Sequence, residues 1–221
     1  RERFENRIKT YFNEETCQKI FEKSVVIDGD LRKPNLGLDK NTFFRIFNNV
    51  KTIINSAANV KHIGKYNNSY IDNVQTVQNL INICLNFNIS LAHVSTLSLN
   101  GLKNADVYKE FTENTLNINQ TFAKNPYLIS KFEAEQIILK NIAENYLNAK
   151  IFRIGNIMPR ISDGLFQVNY DQNGFLLAIN TLSNLKVITE QMLNSEICLT
   201  PIDECSKCIF LLLKSNYCNT I

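Results

Sequence analysis

The segment KTIINSAA (51–58) runs from β-branched residues into a stop of small ones, and its reading decides the fold. It reads as a short strand that ends in Asn55-Ser56-Ala57-Ala58. Between Ser69 and Asn86, Ile71, Val74, Val77, Ile81 and Cys84 recur at helical spacing. ISLAHVST (89–96) is then a second apolar run of strand length. Strand, helix, strand is the unit of a parallel sheet with its helices packed on the faces.

The unit repeats in both directions. Upstream, KSVVIDGDL (23–31) is a β-branched run ending in a turn. NTFFRIFNNV (41–50) is a short helix that should turn Phe44, Ile46 and Phe47 inward. RERFENRIKTYFNEE opens the chain as a charged amphipathic helix. Downstream, residues 97–125 form a polar, Asn-rich connection long enough to suggest a functional loop. A helix starts at Pro126, a residue suited to a first turn. AKIFRIGNI (149–157) is the next strand, followed by a loop with Gly155, Gly164 and Gly174 and the helix GFLLAINTLSNL. ICLTPIDECSKCIFLLLK reads as a strand running into a helix. The expected class is α/β, a doubly wound parallel sheet with helices on both faces.

Composition narrows the function. The 221 residues are 44% hydrophobic and 20% charged, with a scattered net charge of +3, so nothing calls for nucleic acid or an anionic membrane. No apolar run approaches the roughly 18 residues that span a bilayer. Of the six cysteines (17, 84, 198, 205, 208, 218), Cys205 and Cys208 have a metal-like spacing but no second Cys/His pair. They read as reduced, buried thiols of a cytoplasmic protein, and no metal is expected.

In parallel sheets ligands bind beyond the carboxyl ends of the strands. Those ends are Asp28-Gly29-Asp30, Asn55 to Ala58, Ser95-Thr96 and Gly155-Asn156. Ala57 and Ala58 are small without being polar, which suits close approach of a flat ligand. Near them come Thr96, Asn73, Tyr127 and Lys131. Tyr127 and Lys131 are four apart in NPYLISKFEAEQIILK (125–140), hence on one helix face. An ammonium beside a phenol lowers its pKa from about 10 and makes it a usable acid for a carbonyl oxygen. The Thr96 hydroxyl can support the same developing oxyanion. The same spacing also occurs on ordinary amphipathic helices, so the order of the neighbouring strand ends is what favours the catalytic reading.

In that order the chain resembles an extended short-chain dehydrogenase/reductase, and within that superfamily the thioester reductase domains of nonribosomal peptide synthetases and carboxylic acid reductases. The resemblance rests on VVIDGDLRKPNLGL (25–38), TIINSAANV (52–60) followed by Tyr66, NVQTVQNLI (73–81), HVSTLSL (93–99), NPYLISKFEAE (125–135), FRIGNI (152–157), DGLFQVN (163–169) and TPID (200–203). It implies a Rossmann-like fold and Thr96, Tyr127 and Lys131 as the catalytic triad, with Lys131 also holding the nicotinamide ribose of NADPH. Asp30 and Leu31 would flank the adenine. Asn55, Ala57, Ala58 and Ser95 would line the cofactor path, and Gly155, Asn156 and Ile157 would lie beside the nicotinamide. Arg3, with Arg1 as a second candidate, would meet the 2′-phosphate. Phe166, Gln167 and Asn169 would border the acyl and pantetheine entrance.

The implied reaction reduces a thioester on a phosphopantetheinylated carrier-protein domain to an aldehyde, or on to an alcohol. Two other readings stay open: a nucleotide-sugar epimerase or dehydratase, and a non-catalytic Rossmann module. The chain departs from the family pattern at Asn55, usually His, and in NVQTV, which lacks the usual Gly. None of its seven glycines forms the G-x-x-G cluster of a phosphate loop. The expectation is therefore one partial domain over 1–221, lacking the first strands and the C-terminal subdomain, as a fragment of a longer polypeptide.

Overall fold

The computed structural model describes residues 1–102, 110–193 and 197–215. Two helices open the chain, α1 (Glu2–Tyr11) and α2 (Glu14–Lys23), the second capped by Asn13, whose side chain accepts from the Thr16 N–H. Residues 24–30, expected as a strand, carry no regular structure, and Val25 is 85% exposed. A strand exists only with a ladder partner, and among the described residues none lies beside this segment. The following DLRKPNLG turn closes through left-handed Asn35 and Leu36, with the Leu36 carbonyl accepting from the Asp30 N–H at 2.8 Å.

Helix α3 (Lys40–Phe47) is capped by the Asp39 side chain. It buries Phe43 and Phe47, with Ile46 packed on the core, and leaves Phe44 exposed, so Phe43 takes the inward place expected for Phe44 while Phe47 and Ile46 are inward as expected. Strand β1 (Thr52–Asn55) follows, then a long helical run: α4 (Tyr66–Ser69), a π turn (Tyr70–Gln75) and α5 (Thr76–Phe87). Val74, Val77, Ile81 and Cys84 form its buried stripe. Asn88 ends it in the left-handed conformation and turns the chain into β2 (Ser90–Thr96). After the long connection come α6 (Pro126–Asn145) and β3 (Ala149–Ile154).

Strands β1, β2 and β3 form a parallel sheet in that order, with Asn55 opposite His93 and Thr96 opposite Ile154. Their carboxyl ends therefore share one edge. Val77, Leu80, Ile81 and Cys84 of α5, Ala134 and Ile138 of α6, and Leu91, Ala149 and Ile151 of the sheet form the core, with the two α3 phenylalanines. Burial of these side chains, about 1.5–3 kcal/mol for each large one, holds the helices on the sheet.

The expected strand 149–157 is two. Gly155 separates β3 from β4 (Asn156–Met158), which pairs instead with β5 (Leu199–Pro201) in a second parallel sheet. A Cβ at 155 would stand 2.6 Å from Thr200 Oγ1 and 2.7 Å from Cys198 Sγ, so only glycine permits this approach. Helices α7 (Gly174–Leu185), α8 (Glu190–Leu193) and α9 (Ile202–Lys214) are the remaining α-helices among the described residues. Cys17, Cys84 and Cys205 are buried, whereas Cys198 and Cys208 are exposed, so the expectation of buried thiols fails at those two. Cys218 lies outside the described residues. No described helix is long and apolar enough to cross a membrane.

Candidate active site

Helix α6 begins at the carboxyl edge of the sheet because Asn125 caps it, its Oδ1 accepting from the N–H groups of Tyr127 and Leu128. This puts Tyr127 in the first turn, beside the end of β2. The Thr96 hydroxyl is near enough to the Tyr127 phenol to pull the phenol's pKa down, so the structure brings these two expected residues together. Thr96 also accepts from the Ser98 N–H at 3.2 Å, which fixes its rotamer. The His62 ring stands edge-to-face on Tyr127, 5.1 Å between centroids, and is tied to Asn125.

Lys131 lies one turn further on and is buried. Its Nζ donates to the Val94 carbonyl oxygen at 2.6 Å and meets His93 Nε2 at 3.0 Å. The expected electrostatics differ here. Burial pushes the Tyr127 phenol above its ordinary value, with the Thr96 hydroxyl pulling the other way, while the lysine side chain is turned into the strand. Burial lowers the Lys131 ammonium to about 8, against the pull of Glu135. His93 is held well below the usual imidazole value by burial and by Lys131.

The loop after β1 is pinned to α6 through Asn73. Its Oδ1 accepts from the Asn59 N–H at 2.7 Å, and its Nδ2 donates to Asn59 O and Ser130 Oγ, both at 2.9 Å. Asn73 occupies the π turn, where the widened helix carries its side chain to both partners. Asn55 is buried at the end of β1, whereas Ser56, Ala57 and Ala58 are exposed and present their backbone at the edge.

A dinucleotide fits part of this edge. Ser95 Oγ is buried without a hydrogen-bond partner among the described residues, an open position for a ligand oxygen or water. The small residues 56–58 leave the backbone accessible. The adenine side is less gathered. Asp30 is engaged by Arg32, whose Nε and NH2 donate to its carboxylate at 2.9 and 3.1 Å and hold it down to about 2. Leu31 packs on the core, and its carbonyl accepts from Asn79 Nδ2. Arg3 is exposed on α1, and Arg1 pairs with Glu5. The hydrogen bonds that tie α1 to the later chain run from Tyr11 to Arg160 and Val168.

Gly155 and Asn156 are engaged with β5: the Asn156 N–H donates to Cys198 O at 3.0 Å. Ile157, Phe166 and Gln167 line a cavity of about 500 Å³ with Tyr11, Arg160 and Ile202. Asn169 lies beside it in sequence, its carbonyl accepting from Gln167 Nε2. Sequence reasoning missed His93 and Arg32. His93 sits in an otherwise apolar strand, where a lone histidine reads as core; only the Asn55–His93 register across β1 and β2 reveals it.

The chain as a whole is similar to known reductase domains. The chain is 32% identical, over 97% of its length, to a thiolation-reductase di-domain from an archaeal non-ribosomal peptide synthetase, with a TM-score of 0.84 and 45% of that chain covered. The Aureusimine biosynthetic cluster reductase domain is 25% identical over 94% of this chain and 53% of its own, with a TM-score of 0.76. A hybrid PKS-NRPS synthetase, ucsA, from an Acremonium species is 26% identical over 172 residues, which are 75% of this chain and 4% of that protein. The chain thus spans about half the length of the solved reductase structures and a small part of the synthetase. The NAD-binding family described as "Male sterility protein" matches residues 1–209. With this match over most of its length, an α/β fold of parallel sheets and reductase domains among the proteins it is similar to, this chain belongs to that NAD-binding family of the extended short-chain dehydrogenase/reductases.

Proposed function

We propose that residues 1–221 are one partial Rossmann-like domain of an NADPH-dependent reductase that releases an acyl or peptidyl group from a phosphopantetheinylated carrier protein. The observation that carries this reading is the proximity of Thr96 and Tyr127 at the common carboxyl edge of β1, β2 and β3, with Lys131 one turn behind. The choice of a carrier-bound thioester, and of NADPH, rests on the resemblance to thiolation-linked reductases.

NADPH, when bound, supplies the hydride. The chain's own residues handle the oxygen. Tyr127, kept protonated by burial, gives its proton to the thioester carbonyl oxygen as charge builds there. Thr96 donates to the same oxygen and shares the load. Lys131, once turned out of β2, would hold the ribose hydroxyls. Ser95 Oγ, Asn55 and the backbone of residues 56–58 would border the cofactor, and Phe166, Gln167 and Asn169 the entering acyl arm. One hydride and one proton convert the thioester to a thiohemiacetal, which loses the carrier thiol and leaves an aldehyde; a second hydride and proton would give an alcohol.

The test is to load the carrier of the intact protein with an acyl group and add NADPH. Release of aldehyde or alcohol with one free thiol per chain supports the reading. Conversion of a nucleotide sugar without added NADPH, and no release from the carrier, contradicts it.

A further inference from the structure

Behind Lys131 the buried polar groups form a chain of hydrogen bonds whose direction can be read from its fixed end. The Ala57 N–H, which can only donate, points at Asn55 Oδ1 at 3.2 Å. This fixes which end of the Asn55 amide is oxygen. The group facing His93 Nδ1 at 3.2 Å is then the Asn55 NH2, so Nδ1 accepts. A neutral imidazole carries one proton, and with Nδ1 accepting it sits on Nε2. That N–H faces Lys131 Nζ at 3.0 Å. Only an unprotonated amine has a lone pair to receive it, and such an amine still donates to Val94 O.

We propose that Asn55 and His93 are positioning residues that latch Lys131 against β2 as a neutral amine, so that taking up a proton and leaving the latch are one event. An ammonium at this place would meet the Nε2–H donor against donor. The other tautomer, with the proton on Nδ1, moves the same conflict to the Asn55 NH2. Every arrangement of a protonated lysine therefore gives up a hydrogen bond in a buried chain, where an unmade bond costs about 1–3 kcal/mol.

The charged and titratable groups around Lys131 leave this balance open to a small push. Glu135, one turn along α6, favours the ammonium, but Arg153 of β3 already holds its carboxylate at 2.7 Å. Tyr127, one turn back, is kept neutral by burial, and β2 contributes His93. Burial brings the lysine to about 8, within reach of neutral pH. The consequence for catalysis rests on the role proposed above for Lys131: the latched amine is turned away from the ribose, and the released ammonium is the form that can hold it.

The latch itself is testable without cofactor or substrate. The chain has two histidines, His62 and His93. Selective 15N-histidine labelling of the intact protein gives one pattern per imidazole, and the pattern that is lost in His93→Gln is that of His93. The expected result is a neutral His93 ring with its proton on Nε2, unchanged through the range of about pH 5 to 8 in which an ordinary imidazole titrates. In Asn55→Asp the carboxylate can only accept, so the His93 proton is expected to move to Nδ1. A wild-type ring protonated on Nδ1, an imidazolium titrating within that range, or a tautomer unmoved in Asn55→Asp would overturn the proposal. Because no turnover is read, failure of the thioester reading leaves this result standing.

Discussion

Lys131 Nζ donates to the Val94 carbonyl oxygen at 2.6 Å, so a basic side chain from α6 is stored against the middle strand of the sheet. Storage costs stability at neutral pH. The folded value, about 8, lies below the unfolded value of about 10.4, so between them the unfolded chain binds more protons and stability rises with pH. The full penalty, on the order of 3 kcal/mol, is present below about pH 8 and is gone above about 10.5. Cys84, its thiol pushed up to about 12 by burial, works in the opposite sense at alkaline pH. Denaturant unfolding of wild type and Lys131→Met across pH 7 to about 10.5 separates the two. Wild type should gain on the variant as pH rises, and parallel curves would count against a depressed lysine.

Arg153 and Glu135 make a buried pair with 5% and 0% side-chain exposure. Arg153 NH1 also donates to Thr112 O and Thr115 O, and its guanidinium lies over the Phe111 ring, so one side chain ties β3 to α6 and to the loop around 111–115. Arg153→Met leaves Glu135 buried and unpaired and should cost about 3–5 kcal/mol. Adding Glu135→Leu should recover part of that loss in the same unfolding assay.

Gly155→Ala places a methyl 3.0 Å from the Cys198 carbonyl oxygen, which is backbone and cannot rotate away. Strands β4 and β5 must separate, at a cost of about 1–3 kcal/mol. Thr200→Ala would not rescue it, because the carbonyl contact remains. Thermal melting of the two single variants and the double variant checks this.

Asn73→Leu removes the bonds that join Asn59 to Ser130 across the loop after β1. Stability should fall by about 1–3 kcal/mol. Proteolysis between residues 56 and 62 should quicken in the folded protein, because that loop loses its tie to α6.

Much of this was legible in the amino-acid order. The alternation of β-branched runs with a 3.6-residue stripe located β1, α5, β2 and α6, and the small residues of NSAA marked the site edge. Tyr127 and Thr96 were recoverable because a helix start and a strand end are local signals. What escaped depends on partners distant in sequence. Val25 to Ile27 have strand composition, yet strandedness requires a neighbour. Phe43 rather than Phe44 points inward because Phe43 and Phe47 join the core built with α5 and the sheet, partners distant in sequence. The break at Gly155 follows from Cys198 and Thr200, over forty residues away. The direction of the Lys131 side chain follows from His93 and Val94, which no spacing on α6 reveals.

The central claim is that Tyr127 delivers the proton to the reacting carbonyl. The measurement is single-turnover release from an acyl-loaded carrier in the intact protein, wild type against Tyr127→Phe, with NADPH affinity measured in parallel. The account predicts a loss of about 10²–10⁴-fold in the rate of release with NADPH affinity unchanged. Release at the wild-type rate from Tyr127→Phe would contradict it.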